Sequence, residues 1–149
     1  MAPFIALTGL FFTFAGLGAL GVEALAGWYT PLRLALAGMF LLTASAHWGK
    51  RRPDLIRMVP ARFPRPAALV TATGVLELLG AVGLLLAPLA PLAAAGLTLL
   101  LLALFPANVH AARAGLTIGG RPATALIPRT LLQVLFVAAT GAVAIAGWR

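Results

Sequence analysis

Glu77 lies within the oily run TGVLELLGAVG, where a carboxyl must be protonated, paired, or open to a water-filled cavity. An acid at mid-depth in a bilayer carries a penalty of roughly 3 kcal/mol, which makes accident a poor explanation for it. Thr73, Glu77, Gly80 and Leu84 recur at helical spacing and so share one face, which is expected to look inward. Gln133, Val137, Thr140 and Ala144 form a similar stripe, as do Thr98, Leu101, Phe105 and Asn108, while Thr43 and His47 stand four apart. Two chemistries suit these side chains. Glu77 and His47 could act as an acid/base pair that moves a proton on a lipophilic substrate, as isomerisation requires. Alternatively His47, Asn108, Gln133 and a protonated Glu77 could grip the oxygens of an aromatic head group whose apolar tail runs between helices. The residues leave open whether the chain is an enzyme, a binder or an assembly module.

Each candidate also has a structural reading. Glu77 could hold the bundle in register by bonding Thr73 and a neighbouring helix. His47, beside Trp48 and a basic segment, could reach lipid headgroups, and Asn108 could join helices. His110 points about 200° away from Asn108 on a helix, so at most one of the two faces the interior. Glu23 is expected either to snorkel or to pair with Arg33. Phosphate loops, HExxH and nucleophile elbows are absent, and two histidines with no ready set of acidic partners make a weak metal site, so none is expected. The sequence has no cysteine, which excludes thiol relays, disulfides and thiolate clusters.

The elements that must position these groups are membrane helices. Among 149 residues, 62% are hydrophobic and 9% charged, with a mean hydropathy of +1.04, and too few charged side chains exist to cover a water-facing surface. Five apolar stretches read as spans: 4–26, 32–48, 67–87, 92–112 and 129–148. The expected fold class is therefore an all-α, polytopic transmembrane helix bundle forming one domain. The first stretch lacks a basic leader and is too long for a signal peptide, so it reads as a retained helix. Pro106 should free the Leu102 carbonyl and kink the fourth span near Asn108. Ala15, Gly18, Ala19 and Val22 on the first span, and Gly80 and Gly83 on the third, read as small-residue faces where helices, or a second copy of the chain, can approach.

A net charge of +8 is compatible with nucleic-acid binding, but its placement argues for topology instead. Six basic residues lie between Lys50 and Arg65, and Arg113, Arg121 and Arg129 flank a second connector. Five spans set both connectors and the N-terminus on one side, leaving Arg33 and Arg149 on the other. The positive-inside rule then predicts a cytoplasmic N-terminus and an external C-terminus in a bacterial inner membrane. In the first connector, Asp54 could cap a one-turn or two-turn interfacial helix after Pro53; in the second, Gly119, Gly120 and Pro122 mark a turn.

Three stretches, RLALAGMFLLTASAHW (33–48), RMVPARFPRPAALVTATGVLELLGAVGLLLAP (57–88) and FPANVHAARAG (105–115), resemble the DoxX-like family of small bacterial membrane proteins. The recurring positions fall on His47, Pro60, Pro64, Gly74, Glu77, Gly80, Pro106, Asn108 and His110. The resemblance implies a four-helix core over residues 33–148, with the first helix as an addition. It also implies a link to membrane redox chemistry, with a quinone as ligand and a membrane oxidoreductase as partner. Taking the spacing and the resemblance together, the expected ligand-binding set is His47, Thr73, Glu77, Asn108, His110 and Gln133.

Overall fold

Hydrogen-bonding in an apolar medium leaves the backbone little choice but helix. The computed structural model, which describes residues 2–148, is accordingly an all-α bundle. Its helices are α1 (Ala2–Ala19), α2 (Tyr29–Ser45), α3 (Arg52–Met58), α4 (Pro66–Leu85), α5 (Ala90–Arg113) and α6 (Leu126–Gly147). A two-residue hairpin, β1 (Thr117–Ile118) with β2 (Arg121–Pro122), joins α5 to α6. Among these helices α1, α4, α5 and α6 are long and apolar enough to cross a membrane. Arg149, assigned above to the far side, lies outside the described residues.

Helix α2 is the shortest of the five expected spans and the axis of the bundle. It packs against α1, α4 and α6, and eight of its 17 residues are buried. The core lies between α2, α4, α5 and α6, built on Leu36, Met39, Leu84, Leu97 and Val143. Large apolar residues such as Leu79, Leu99, Leu131 and Ile145 point outward, a surface suited to lipid. Helices α4 and α5 approach closely at the glycines expected to allow it: a Cβ on Gly83 would lie 2.7 Å from that of Ala93.

The first helix is shorter than its apolar run. It stops at Ala19, because Gly21 adopts φ +102° and closes a Schellman turn, with Val22 N–H donating to Leu17 O and Gly21 N–H to Gly18 O. The chain then forms a 3-10 turn over Glu23–Leu25. Helix α1 packs on α2 through Leu7, Leu10 and Phe11. The expected packing face of Ala15, Gly18, Ala19 and Val22 is therefore not used against another helix of the chain: Ala19 and Val22 are exposed, and Gly18 meets the Leu25 carbonyl. Glu23 is exposed and forms no ion pair with Arg33. Buried Arg33 instead donates from Nη1 to Leu84 O (2.8 Å) and Leu85 O (3.2 Å), satisfying carbonyls at the end of α4 that lack helical donors.

The two basic connectors meet at one end of the bundle. Helix α3 is the expected two-turn segment, but Asp54 does not cap it. Its carboxylate pairs with Arg57 and accepts the Gly119 amide at 2.7 Å, while Arg57 donates to Thr117 O at 3.3 Å. Gly119 and Gly120, at φ +60° and +74°, make the tight hairpin turn that presents this amide.

Candidate functional site

A cavity of about 850 Å³ opens beneath the joined connectors and reaches inward between α2, α4, α5 and α6. Met39, Phe40, Leu101, Leu104 and Phe136 supply much of its apolar wall. Thr43, His47, Thr73, Glu77, Asn108 and Gln133 add polar groups, and Lys50 and Arg51 line it at the connector end. Ala2 and Pro3 also border it, which places the start of α1 at the same end.

His47 follows the last turn of α2 and is buried, at 7% exposure, against α4. Its Nδ1 lies 2.7 Å from Val70 O. A carbonyl can only accept, so Nδ1 carries a hydrogen and Nε2 faces Glu77. Gly74 makes this approach possible, because a Cβ there would stand 2.6 Å from His47 Cβ. Arg52 fixes the same turn from the other side. It donates to His47 O at 2.8 Å, to Thr71 Oγ1 at 2.9 Å and to Ala67 O at 3.2 Å, joining the end of α2 to the start of α4. The headgroup-reaching role considered for His47 is thus overturned: its ring is enclosed by α4, and Trp48 is the exposed neighbour.

Glu77 is 5% exposed, and its Oε1 lies 3.6 Å from His47 Nε2, within ion-pair range but longer than a hydrogen bond. A Cα–Cβ bond leans toward the start of its helix, which carries the Glu77 side chain up α4 toward the connector end. Its depth from Pro66 therefore overstates its distance from His47. Oε2 is buried without a hydrogen-bond partner. Thr73 does not satisfy it, contrary to the Thr73 bond expected above: that hydroxyl donates to Leu69 O (3.0 Å) and Val70 O (3.1 Å) of its own helix. With Nδ1 protonated, the pair can rest either as a neutral acid beside a neutral imidazole or as a carboxylate beside an imidazolium.

The opposite wall carries a directed chain of hydrogen bonds. Arg129 Nη1 donates to Asn108 Oδ1 (2.8 Å), Asn108 Nδ2 to Gln133 Oε1 (3.2 Å), and Gln133 Nε2 to Leu101 O (2.5 Å). The Leu101 carbonyl immediately precedes that of Leu102, which Pro106 deprives of its helical donor; α5 nevertheless runs on to Arg113. Deeper still, Thr98 donates to Thr140 at 2.8 Å, joining the polar stripes of α5 and α6.

Five of the six expected ligand-binding residues thus border one cavity. His110 does not: the turn of α5 that brings Asn108 to the wall carries His110 away from it. Two residues of the site were not anticipated. Arg129, treated as a topology charge, stands four residues before Gln133 and so on its face, a spacing that could have flagged it. Arg52 left no such signal, because its partners come from three separate positions around the connector. Among the described residues no group of three His, Asp or Glu side chains could hold a metal.

The chain belongs to the family described as a domain of unknown function, DUF8561, whose pattern matches residues 36–144. That stretch contains His47, Glu77, Asn108, Arg129 and Gln133 and leaves α1 outside. No curated protein and no solved structure matches the chain.

Proposed function

We propose that this protein binds a lipophilic small molecule in the cavity between α2, α4, α5 and α6, with the polar part of the ligand at the His47–Glu77 pair. The observation that carries this reading is Glu77, an acid that lines a large, mostly apolar cavity and whose buried Oε2 has no hydrogen-bond partner. Burying such an atom costs roughly 1–3 kcal/mol, which a ligand donor or acceptor would recover. The volume lies in the upper part of the roughly 300–1,000 Å³ range of small-molecule sites. The resemblance to DoxX-like proteins nominates a quinone as ligand, a membrane oxidoreductase as partner and the bacterial inner membrane as location. Lipid extracted from detergent-purified protein and identified by mass spectrometry should contain a stoichiometric lipophile. Glu77→Gln, which keeps the shape and changes the hydrogen-bonding pattern, should lower its occupancy severalfold. Protein purified free of lipophile, together with unchanged thermal stability and unchanged quinone binding in the variant, would exclude the reading.

A second reading is favoured by the 3.6 Å separation of imidazole and carboxyl. General acid–base work needs two such groups within reach of one substrate, and a proton can pass between them. On this reading the protein isomerises a lipophilic substrate, Glu77 and His47 taking and returning a proton. Solvent deuterium entering a bound lipophile, and lost in Glu77→Gln, would mark turnover rather than storage.

A further inference from the structure

The cavity has two polar levels, and their order specifies a ligand more narrowly than its apolar wall does. At the connector end stand Lys50 and Arg51, both exposed and neither in an ion pair or side-chain hydrogen bond among the described residues. The nearby acid, Asp54, is already engaged by Arg57 and the Gly119 amide. Below them lies the His47–Glu77 pair with its unpartnered, enclosed Oε2. Beyond the pair the wall is formed by apolar residues such as Met39, Leu101 and Phe136, and the polar Gln133 is bonded to its neighbours.

We infer that the ligand is an anionic amphiphile. Its carboxylate or phosphate is held at the mouth by Lys50 and Arg51, a hydroxyl or carbonyl oxygen reaches the His47–Glu77 pair, and a single apolar chain lies in the deep wall. The inference rests on the ligand-binding reading above and fixes the chemical class within it. Uncommitted cations at the opening of a low-dielectric pocket select for negative charge, because field lines concentrate there. A neutral lipophile gains nothing from them. Carboxylate and phosphate heads share this chemistry, and the two sources are separated by the probes below.

Full-length protein in nanodiscs of zwitterionic phosphatidylcholine would be titrated, at mildly alkaline pH, with oleate, oleoyl lysophosphatidate, oleyl alcohol and a short-tailed ubiquinone. At least one anionic probe should bind about tenfold more tightly than the alcohol, and added salt should erode that advantage. The tighter of the two identifies the head group. The paired substitution Lys50→Gln with Arg51→Gln, at exposed positions outside the core, should abolish the preference while leaving alcohol binding intact. Equal affinity for oleate, lysophosphatidate and alcohol, or a preference that survives the paired substitution, overturns the inference. If only the quinone binds, the anionic class is wrong and lipophile binding stands. If none of the four binds, both fall.

Discussion

Arg52 shows how one side chain can govern a site it does not enter. Its guanidinium serves carbonyls from the end of α2 and the start of α4 as well as the Thr71 hydroxyl, and the carbonyl it takes on α2 belongs to His47 itself. Charge-assisted bonds of this kind contribute roughly 1.5–3 kcal/mol each in favourable settings. Arg52→Gln can replace at most part of this fork. It should lower the thermal midpoint of detergent-solubilised protein by several degrees and loosen His47, weakening ligand binding as well. Arg62→Gln is the appropriate control, since Arg62 is exposed and lies over the Phe63 ring at 5.0 Å, an arrangement whose loss should cost less than about 1 kcal/mol. Equal midpoints for the two variants would remove Arg52 from the account of the site.

Helix α4 contributes both the acid and the small residue that lets its partner approach. Gly74→Ala would press a methyl into the His47 ring, since the added Cβ falls 2.6 Å from His47 Cβ and 2.7 Å from Cγ. Overpacking of this kind costs about 1–3 kcal/mol, and here the yielding group would be the imidazole. Lipophile binding should therefore fall along with stability, whereas Gly141→Ala, inside α6 with open space around it, should lower neither. Differential scanning fluorimetry beside probe titration separates the two effects. The positions of α2, α4, α5 and α6 were legible because long apolar runs bounded by prolines and charges leave few alternatives. The end of α1 was not, since Leu20 and Val22 continue the oily pattern while the turn depends on the backbone freedom of Gly21. For the site, helical spacing identified the faces of Glu77, Gln133 and Asn108. It carried no information on which ends of α2 and α4 meet, so the His47–Val70 bond and the true surroundings of Thr73 emerge only from packing.

At the scale of the whole molecule, the two basic connectors are tied to each other rather than merely placed side by side. The Asp54 carboxylate bridges to the Gly119 amide, Arg57 reaches Thr117 O, and the start of α1 borders the same cavity. Eight of the basic residues fall in the two connectors, from Lys50 to Arg65 and at Arg113 and Arg121, and Arg129 lies in the first turn of α6 beside them. Positive charge retained on the cytoplasmic side would orient this end inward and the turn at Glu23 outward. The natural lack of cysteine makes the arrangement directly measurable. Single cysteines at Arg62, Arg121 and Glu23, all exposed and none within the Asp54–Gly119 contact, can be treated with a membrane-impermeant maleimide in intact and in permeabilised cells. Arg62→Cys and Arg121→Cys should react only after permeabilisation, and Glu23→Cys in both conditions. Reaction of all three in the reverse order would keep the bundle and invert its orientation. Labelling of Arg62→Cys and Arg121→Cys from opposite sides would contradict the bundle itself, because connectors joined by a 2.7 Å hydrogen bond cannot face different compartments.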